Sequence, residues 1–323
     1  MKGLTDIPGI LVGHASDYDG LTGCTVVLCE KGAVAGGDLR GSATGTEEWD
    51  LLNPQHVTPR IHGVVFAGGS AFGLETASGV RRHLEHKGVG FQTAGGVVPL
   101  VVGAILYDLG FAKRGVRPTR EMGEMAAAAA TDKAVTEGAV GAGVGATVGK
   151  INGAKQGMKS GVGSATVELD GQNKGVLVCA LAVVNALGDV RDPVSGKILA
   201  GARKSPDSKE FVDSARVMKA SGPTGFTRAN AGTNTTLVVV ATNAQLSKVE
   251  ANKMAELGQL GLARTIYPVN TMSDGDLVIA LSSGTARATI DALGVAAAEA
   301  TAEAILRAVR MAPSLGGLPG LKG

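Results

Sequence analysis

The sequence predicts a mixed α+β fold whose sheets are covered on both faces. Apolar runs of strand length, rich in Val and Ile, recur along the chain, and several are continuous rather than alternating, as in strands without a solvent face. Helical stretches, amphipathic or alanine-rich, lie between them. Composition adds a third observation: 49 of the 323 residues are glycine, while the aromatics are only six Phe, three Tyr and one Trp. Glycine at about twice ordinary usage, without a Gly-X-Y period and beside 44% hydrophobic residues, excludes collagen and a disordered chain. It points to tight turns and close backbone approaches.

Taken in order, strands are expected at Ile10–Val12, Thr25–Cys29 and Val64–Ala67. A helix over Ser70–Lys87 follows, with Leu74, Ala77, Val80 and Leu84 on one side. Pro99–Leu109 is expected as a helix opened by a proline in its first turn. Thr119–Lys133 is an alanine-rich helix, and Val176–Val184 a buried strand. Asp192–Ala231, containing Pro193, Gly196, Pro206, Gly222, Pro223 and Gly225, is expected as a long surface excursion with a short helix near Glu210–Lys219. It leads into the strand Leu237–Ala241. A helix over Ser247–Leu262 opens on a capping box, Ser247 with Glu250. The strand Leu277–Leu281 and a long helix near Ala286–Arg310 close a single domain spanning 1–323, with a loose Gly/Pro tail.

Thirty-one Lys+Arg against 29 Asp+Glu give a formal charge of +2 with no basic stripe, so no nucleic-acid partner is expected. The scarce aromatics remove a stacking surface for single strands. The longest apolar stretch, Val98–Leu109, is too short to span a bilayer, so no membrane partner is expected. The start, Met1 to Asp6, lacks a signal peptide's pattern, and a soluble cytoplasmic chain is the expectation. Cys24, Cys29 and Cys179 lie in apolar runs and are expected as buried thiols, the first two on opposite faces of a strand. His83 and His86 belong to a solvated helix face, and neither a metal nor another cofactor is expected.

Four motifs carry chemistry or imitate it. Gly141–Lys150 looks like a phosphate loop but places Val144 where Walker A needs glycine and Ile151 where it needs Ser or Thr. A glycine-rich strand ending on Lys150, either solvated or tuned by burial, is the alternative. Gly68–Gly73 sits between a strand and a helix like a nucleophile elbow, yet Phe72 replaces the required glycine, so Ser70 is expected as a helix N-cap. Asp274-Gly275-Asp276 is either a turn or a site in which one carboxylate orients a base. Asn234-Thr235-Thr236 is either an ordinary strand start or a cleavage point. If the Asn234–Thr235 bond breaks, Thr235 gains an α-amine with an ordinary pKa of about 7.7–8.0. That amine can serve as base for the threonine's own hydroxyl without any histidine.

Together these segments resemble the self-processing D-aminopeptidase and β-peptidyl aminopeptidase family, which includes the nylon-oligomer (6-aminohexanoate) hydrolases. The resemblance runs over nearly the whole chain: Ile7–His14, Gly23–Val26, Gly68–Leu74, Gly141–Lys150, Val184–Gly188, Asn234–Thr236 and Asp274–Asp276. It implies a four-layer αββα sandwich like that of N-terminal nucleophile hydrolases, with different connectivity. It also implies autocleavage at Asn234–Thr235 into an α fragment (1–234) and a β fragment (235–323) that stay together, and a homo-oligomer of such units. By the same resemblance Thr235 is the nucleophile, Asn185 helps hold the oxyanion, and Lys150, Asp274 and Asp276 complete the catalytic set. Tyr107 and Gly275 are its substrate-binding positions. Asp274-Gly275-Asp276 departs from the Ser-Gly-Glu of the serine branch and places the chain with the threonine branch.

The implied activity is hydrolysis of a small peptide or amide through an acyl-enzyme, with Lys150 lowering the pKa of the Thr235 amine. The acidic pair is a candidate for holding a substrate ammonium. Acyl transfer, as in the ornithine acetyltransferases, is the alternative, as is an amidase for oligoamides rather than peptides.

Overall fold

The computed structural model describes residues 1–221 and 233–323. Nine strands build the main sheet among them: β1 (Leu11–Asp17), β2 (Thr22–Leu39), β3 (Thr46–Glu47), β4 (Ile61–Ala67), β5 (Val101–Ile105), β6 (Val162–Glu168), β7 (Leu177–Asn185), β8 (Thr235–Ala244) and β9 (Leu277–Ala286). The helices are α1 (Glu75–His86), α2 (Arg120–Ala128), α3 (Ser214–Ala220), α4 (Lys248–Thr265) and α5 (Ile290–Arg310).

β2 makes two layers out of one sheet. Its first half pairs with β1 and β4, and its second half pairs with β9, with a register shift between Leu28 and Ala33 where it crosses over. One layer is therefore β1, β2, β4, β5 and β3, and the other is β6, β7, β8, β9 and the end of β2. Side-chain alternation fills the space between them. Leu181 and Val183, Leu237 and Val239, Leu277 and Ile279 point inward to meet Val64, Phe66 and Val27. The opposite faces pack on helices: Val178, Val238 and Val278 on α4 and α5, Val26 and Val65 on α1 and α2. The result is the expected four-layer αββα sandwich. Strands with helices or a second sheet on both sides have no solvent face, which explains the continuous apolar runs.

Local chemistry supports the helices. Ser247 and Glu250 form the full capping box of α4, and the Thr119 and Thr289 side chains cap α2 and α5. Gly163 lets β6 lie directly on α5, because a Cβ there would strike the backbone at Ala304 and Ala308. Cys24 and Cys29 face opposite cores, and all three thiols are buried, free and pushed up to about 12 by burial.

Three local expectations fail. Pro99–Leu109 is not a helix; it contains the buried strand β5, parallel to β4. A run buried on both sides offers no periodicity to tell strand from helix. Gly141–Lys150 is mostly not a strand. Gly141–Val144 forms a 3-10 turn, and only Thr147–Val148 pairs, with Met158–Lys159. Ser70 is not an N-cap. It opens a 3-10 turn at φ 54°, with Gly69 preceding it, and makes no capping bond. The excursion after Asp192 is more ordered than expected in its first part, with Ile198–Ala200 paired to Asp189–Arg191, and the short helix expected near Glu210–Lys219 is α3. Its last part, with Gly222, Pro223 and Gly225, lies outside the described residues.

Candidate active site

Strand register assembles the site. β8 and β9 run parallel with Leu237 opposite Leu277, and the alignment continues upstream as a bridge between Asn234 and Asp274. Asn-Thr-Thr and Asp-Gly-Asp therefore start neighbouring strands at the same level. On the other side of β8, Asn185, the last residue of β7, pairs with Thr235. Tyr107 follows β5 at the same end of the molecule, and its carbonyl accepts from Asn185 Nδ2 at 3.1 Å.

The Asn234–Thr235 bond is surrounded by donors and by its own nucleophile. Thr235 Oγ1 lies 2.5 Å from the Asn234 carbonyl oxygen. The same oxygen accepts from the Gly275 N–H at 2.8 Å. A side chain at 275 would press on the Ala43 carbonyl and on Thr235 Oγ1, at 2.7 and 2.8 Å, so glycine is what lets this N–H approach. Thr235 is 2% exposed and Asn234 fully buried.

Asn185 is oriented by its neighbours. Its Oδ1 accepts from Lys150 Nζ at 2.7 Å, Thr147 N at 3.1 Å and Thr147 Oγ1 at 3.3 Å, which fixes the amide with Nδ2 toward the Tyr107 and Thr233 carbonyls. In the intact chain Asn185 thus reaches the Thr233 carbonyl, one residue upstream of the Asn234 carbonyl that Gly275 holds.

Lys150 also donates to the Asn185 carbonyl at 3.0 Å and to the Thr233 carbonyl at 3.3 Å. Three acceptors require three N–H groups, which only the ammonium has. Burial pulls its pKa down to about 7, against the opposing pull of Asp274, Asp108 and Asp276.

Asp276 accepts from Thr236 N at 2.6 Å and Asn270 N at 2.9 Å, and burial together with the neighbouring Asp274 charge raises it to about 7. Asp274 accepts from Leu187 N, Thr271 N and the Thr271 hydroxyl, and burial raises its pKa as well. Every carboxylate oxygen of the pair is thus engaged by the chain itself, beside the start of β8. The pair does not line the adjoining pocket.

That pocket, about 160 Å³, is lined by Tyr107, Phe111, Thr147, Lys150 and Thr233, and by one acid that no sequence motif marks, Asp108. Asp108 is 2% exposed and stands beside Tyr107. A second unanticipated group, Lys159, is fully buried with its ammonium on the Gly143, Ala146 and Ser160 carbonyls. Nothing in the local sequence of either marks it, because both are buried by contacts distant along the chain.

The protein-family model for peptidase family S58 matches residues 2–322. The chain belongs to peptidase family S58. An uncharacterized aminopeptidase of Mycobacterium leprae is 38% identical, over 99% of this chain and 93% of that protein. A 6-aminohexanoate-oligomer endohydrolase of a Kocuria strain is 28% identical, over 94% and 85%. Among solved structures, the L-aminopeptidase D-Ala-esterase/amidase of Ochrobactrum anthropi, described as a variant among the Ntn hydrolase fold, superposes with a TM-score of 0.69 at 17% identity, covering 98% of this chain and 88% of its own. As a member of family S58 the protein is an amide-bond hydrolase, and its layered α+β architecture is that of the superposed Ochrobactrum anthropi structure. No helix among the described residues is long and apolar enough to cross a membrane.

Proposed function

We propose that this S58 hydrolase activates itself by cleaving Asn234–Thr235 and then uses Thr235 as an N-terminal nucleophile. The observation that carries the reading is the Thr235 hydroxyl, 2.5 Å from an Asn234 carbonyl oxygen that the Gly275 N–H already polarises at 2.8 Å. Thr235 Oγ1 attacks the Asn234 carbonyl carbon, and the oxyanion forms against the Gly275 N–H. The C–N bond then breaks and the hydroxyl proton passes to the leaving Thr235 nitrogen. The resulting ester is hydrolysed by water, which leaves an Asn234 carboxylate and a free Thr235 amine and hydroxyl.

In the mature enzyme the amine takes the hydroxyl proton as Oγ1 attacks a substrate amide, and a second water resolves the acyl-enzyme. Cleavage separates Thr233 from Thr235, so the N–H groups of Lys150 and Asn185 that hold the Thr233 carbonyl become available to the bound acyl group. The nearby Lys150 charge disfavours a second ammonium, which lowers the pKa of the Thr235 amine and leaves more of it unprotonated to accept the hydroxyl proton. Tyr107 forms part of the pocket wall.

The substrate class in this reading is a short peptide or oligoamide, in line with the names of the relatives. The working form is a cytoplasmic homo-oligomer of paired 1–234 and 235–323 fragments, with native mass as its check. Intact-mass analysis under denaturing conditions tests the first step. Two species meeting at Asn234/Thr235 are expected, and Thr235→Ala should remain one chain without amidase activity. A single full-length species after long incubation of the unaltered protein, or splitting of the variant, would refute the reading.

A further inference from the structure

Asp108 has no step in this chemistry, yet it is buried and held on both carboxylate oxygens. Its Oδ2 accepts from the Thr22 hydroxyl at 2.6 Å and its Oδ1 from the Gly69 N–H at 2.7 Å. Its backbone carbonyl takes the N–H groups of Phe111 and Ala112, both at 2.8 Å. A Cβ on Gly68 or on Gly145 would collide with the carboxylate. Three separate segments therefore close on one carboxylate: the start of β2, the turn after β4 and the glycine stretch that leads to Lys150.

Neutral donors hold this carboxylate, although burying a charge is costly without an opposite one nearby. The opposite charges are Lys150 and Lys159. Each is an ammonium by donor count, and each is held by carbonyl and amide oxygens rather than by a carboxylate. Two buried cations without a contact ion pair need counter-charge from the next layer of residues. Asp108 and Lys150 line the same pocket. The buried acids whose charge acts on Lys150 are, in order, Asp274, Asp108 and Asp276, and the charge of Asp108 acts on Lys159 as well. Burial raises all three acids, and Asp276 is raised to about 7 with the neighbouring Asp274 charge adding to it; what sets Asp108 apart is that its charge acts on both lysines.

We propose that Asp108 is a positioning residue of the active site: its carboxylate keeps Lys150 charged, and so keeps Asn185 aimed, while it ties the Tyr107 segment to Thr22 and Gly69. It acts through Lys150 and touches no reacting atom. This role rests on the proposed function for its catalytic consequence, but the charge effect can be read without catalysis.

The test uses the full chain in its uncleaved form, Thr235→Ala, with and without Asp108→Asn, and follows Tm against pH. A lysine whose folded pKa is depressed binds less proton in the folded than in the unfolded state between that pKa and its ordinary value, so stability rises with pH across that window. Removing the Asp108 charge lowers the Lys150 and Lys159 pKa values further. The alkaline rise in Tm should then begin about one pH unit lower.

Thr22→Val keeps the charge and removes one tie, so it should lower Tm while the onset of the rise stays in place. If Asp108→Asn does not fold, Asp108→Ser is the second variant. It also removes the charge and should move the onset to lower pH. In the unaltered background, Asp108→Asn should move the alkaline limb of fragment formation down by the same interval. An onset unmoved in Asp108→Asn, or in Asp108→Ser if that is the variant that folds, overturns the proposal. So does an equal displacement by Thr22→Val. A protein that never splits while these onsets shift as expected would remove the proposed function and leave the Asp108 charge role standing.

Discussion

Two groups at the site titrate on either side of one task. Lys150 is useful as an ammonium, with three acceptors to fill, and loses that proton as pH rises through about 7. Asp276 is useful as a carboxylate, with two backbone N–H groups donating to it, and loses that charge as pH falls through about 7. Self-cleavage is therefore expected to be fastest near neutrality and to slow on both sides. First-order rates of fragment appearance at a series of pH values check this. A rate that climbs steadily into the alkaline range would mean that the Lys150 ammonium is not required. Thr235 and the acid pair stood out as motifs because the residue types themselves limit the chemistry. Asp108 and Lys159 did not, since an acid after a tyrosine and a lysine after a methionine mean nothing until the fold buries them.

At the scale of elements, the strand starts of β8 and β9 do the positioning. Gly275→Ala places a methyl group against the Ala43 carbonyl and Thr235 Oγ1, at 2.7 and 2.8 Å, and should push the 275 N–H off the Asn234 carbonyl. Removing one oxyanion donor slows such reactions by about 100-fold or more, and a time course on denaturing gels reads it directly. A full rate of cleavage in this variant would show that Gly275 is not the donor.

The α4 capping box offers a stability test away from the site. Ser247→Ala should cost about 1 kcal/mol in urea unfolding of the uncleaved chain. The capping box was legible because its bonds are local. β5 was not, because a doubly covered strand such as Val101–Ile105 has no periodicity of its own. Ser70 was misjudged for a related reason. Its left-handed backbone is set by the turn between β4 and α1, where Ser70 N bonds the Leu106 carbonyl.

For the whole molecule, the site sits where the chain would be cut without coming apart. β8 lies inside the sheet, hydrogen-bonded to β7 on one side and β9 on the other, with its side chains alternating into two cores. A break before Thr235 leaves that burial intact, so fragments 1–234 and 235–323 should elute as one particle under native conditions. Size-exclusion chromatography followed by a denaturing gel checks this. Separate elution of the two would show that the backbone bond was holding the layers together.

The sequence by itself determined the layered α+β class, the helices with local caps, the burial of the thiols and the Asn-Thr-Thr and Asp-Gly-Asp segments as places where chemistry could occur. Those features depend on residue type and short-range spacing. Only the tertiary structure decided that the two segments lie at the same level. The 39 residues between Asn234 and Asp274 carry a helix whose return path sets the strand register, and no local signal encodes that offset. It also decided which donor meets which carbonyl, and that Asp108, Lys150 and Lys159 share one buried region. Burial and electrostatic partnership come from residues far apart in the chain, and they exist only once the layers have closed.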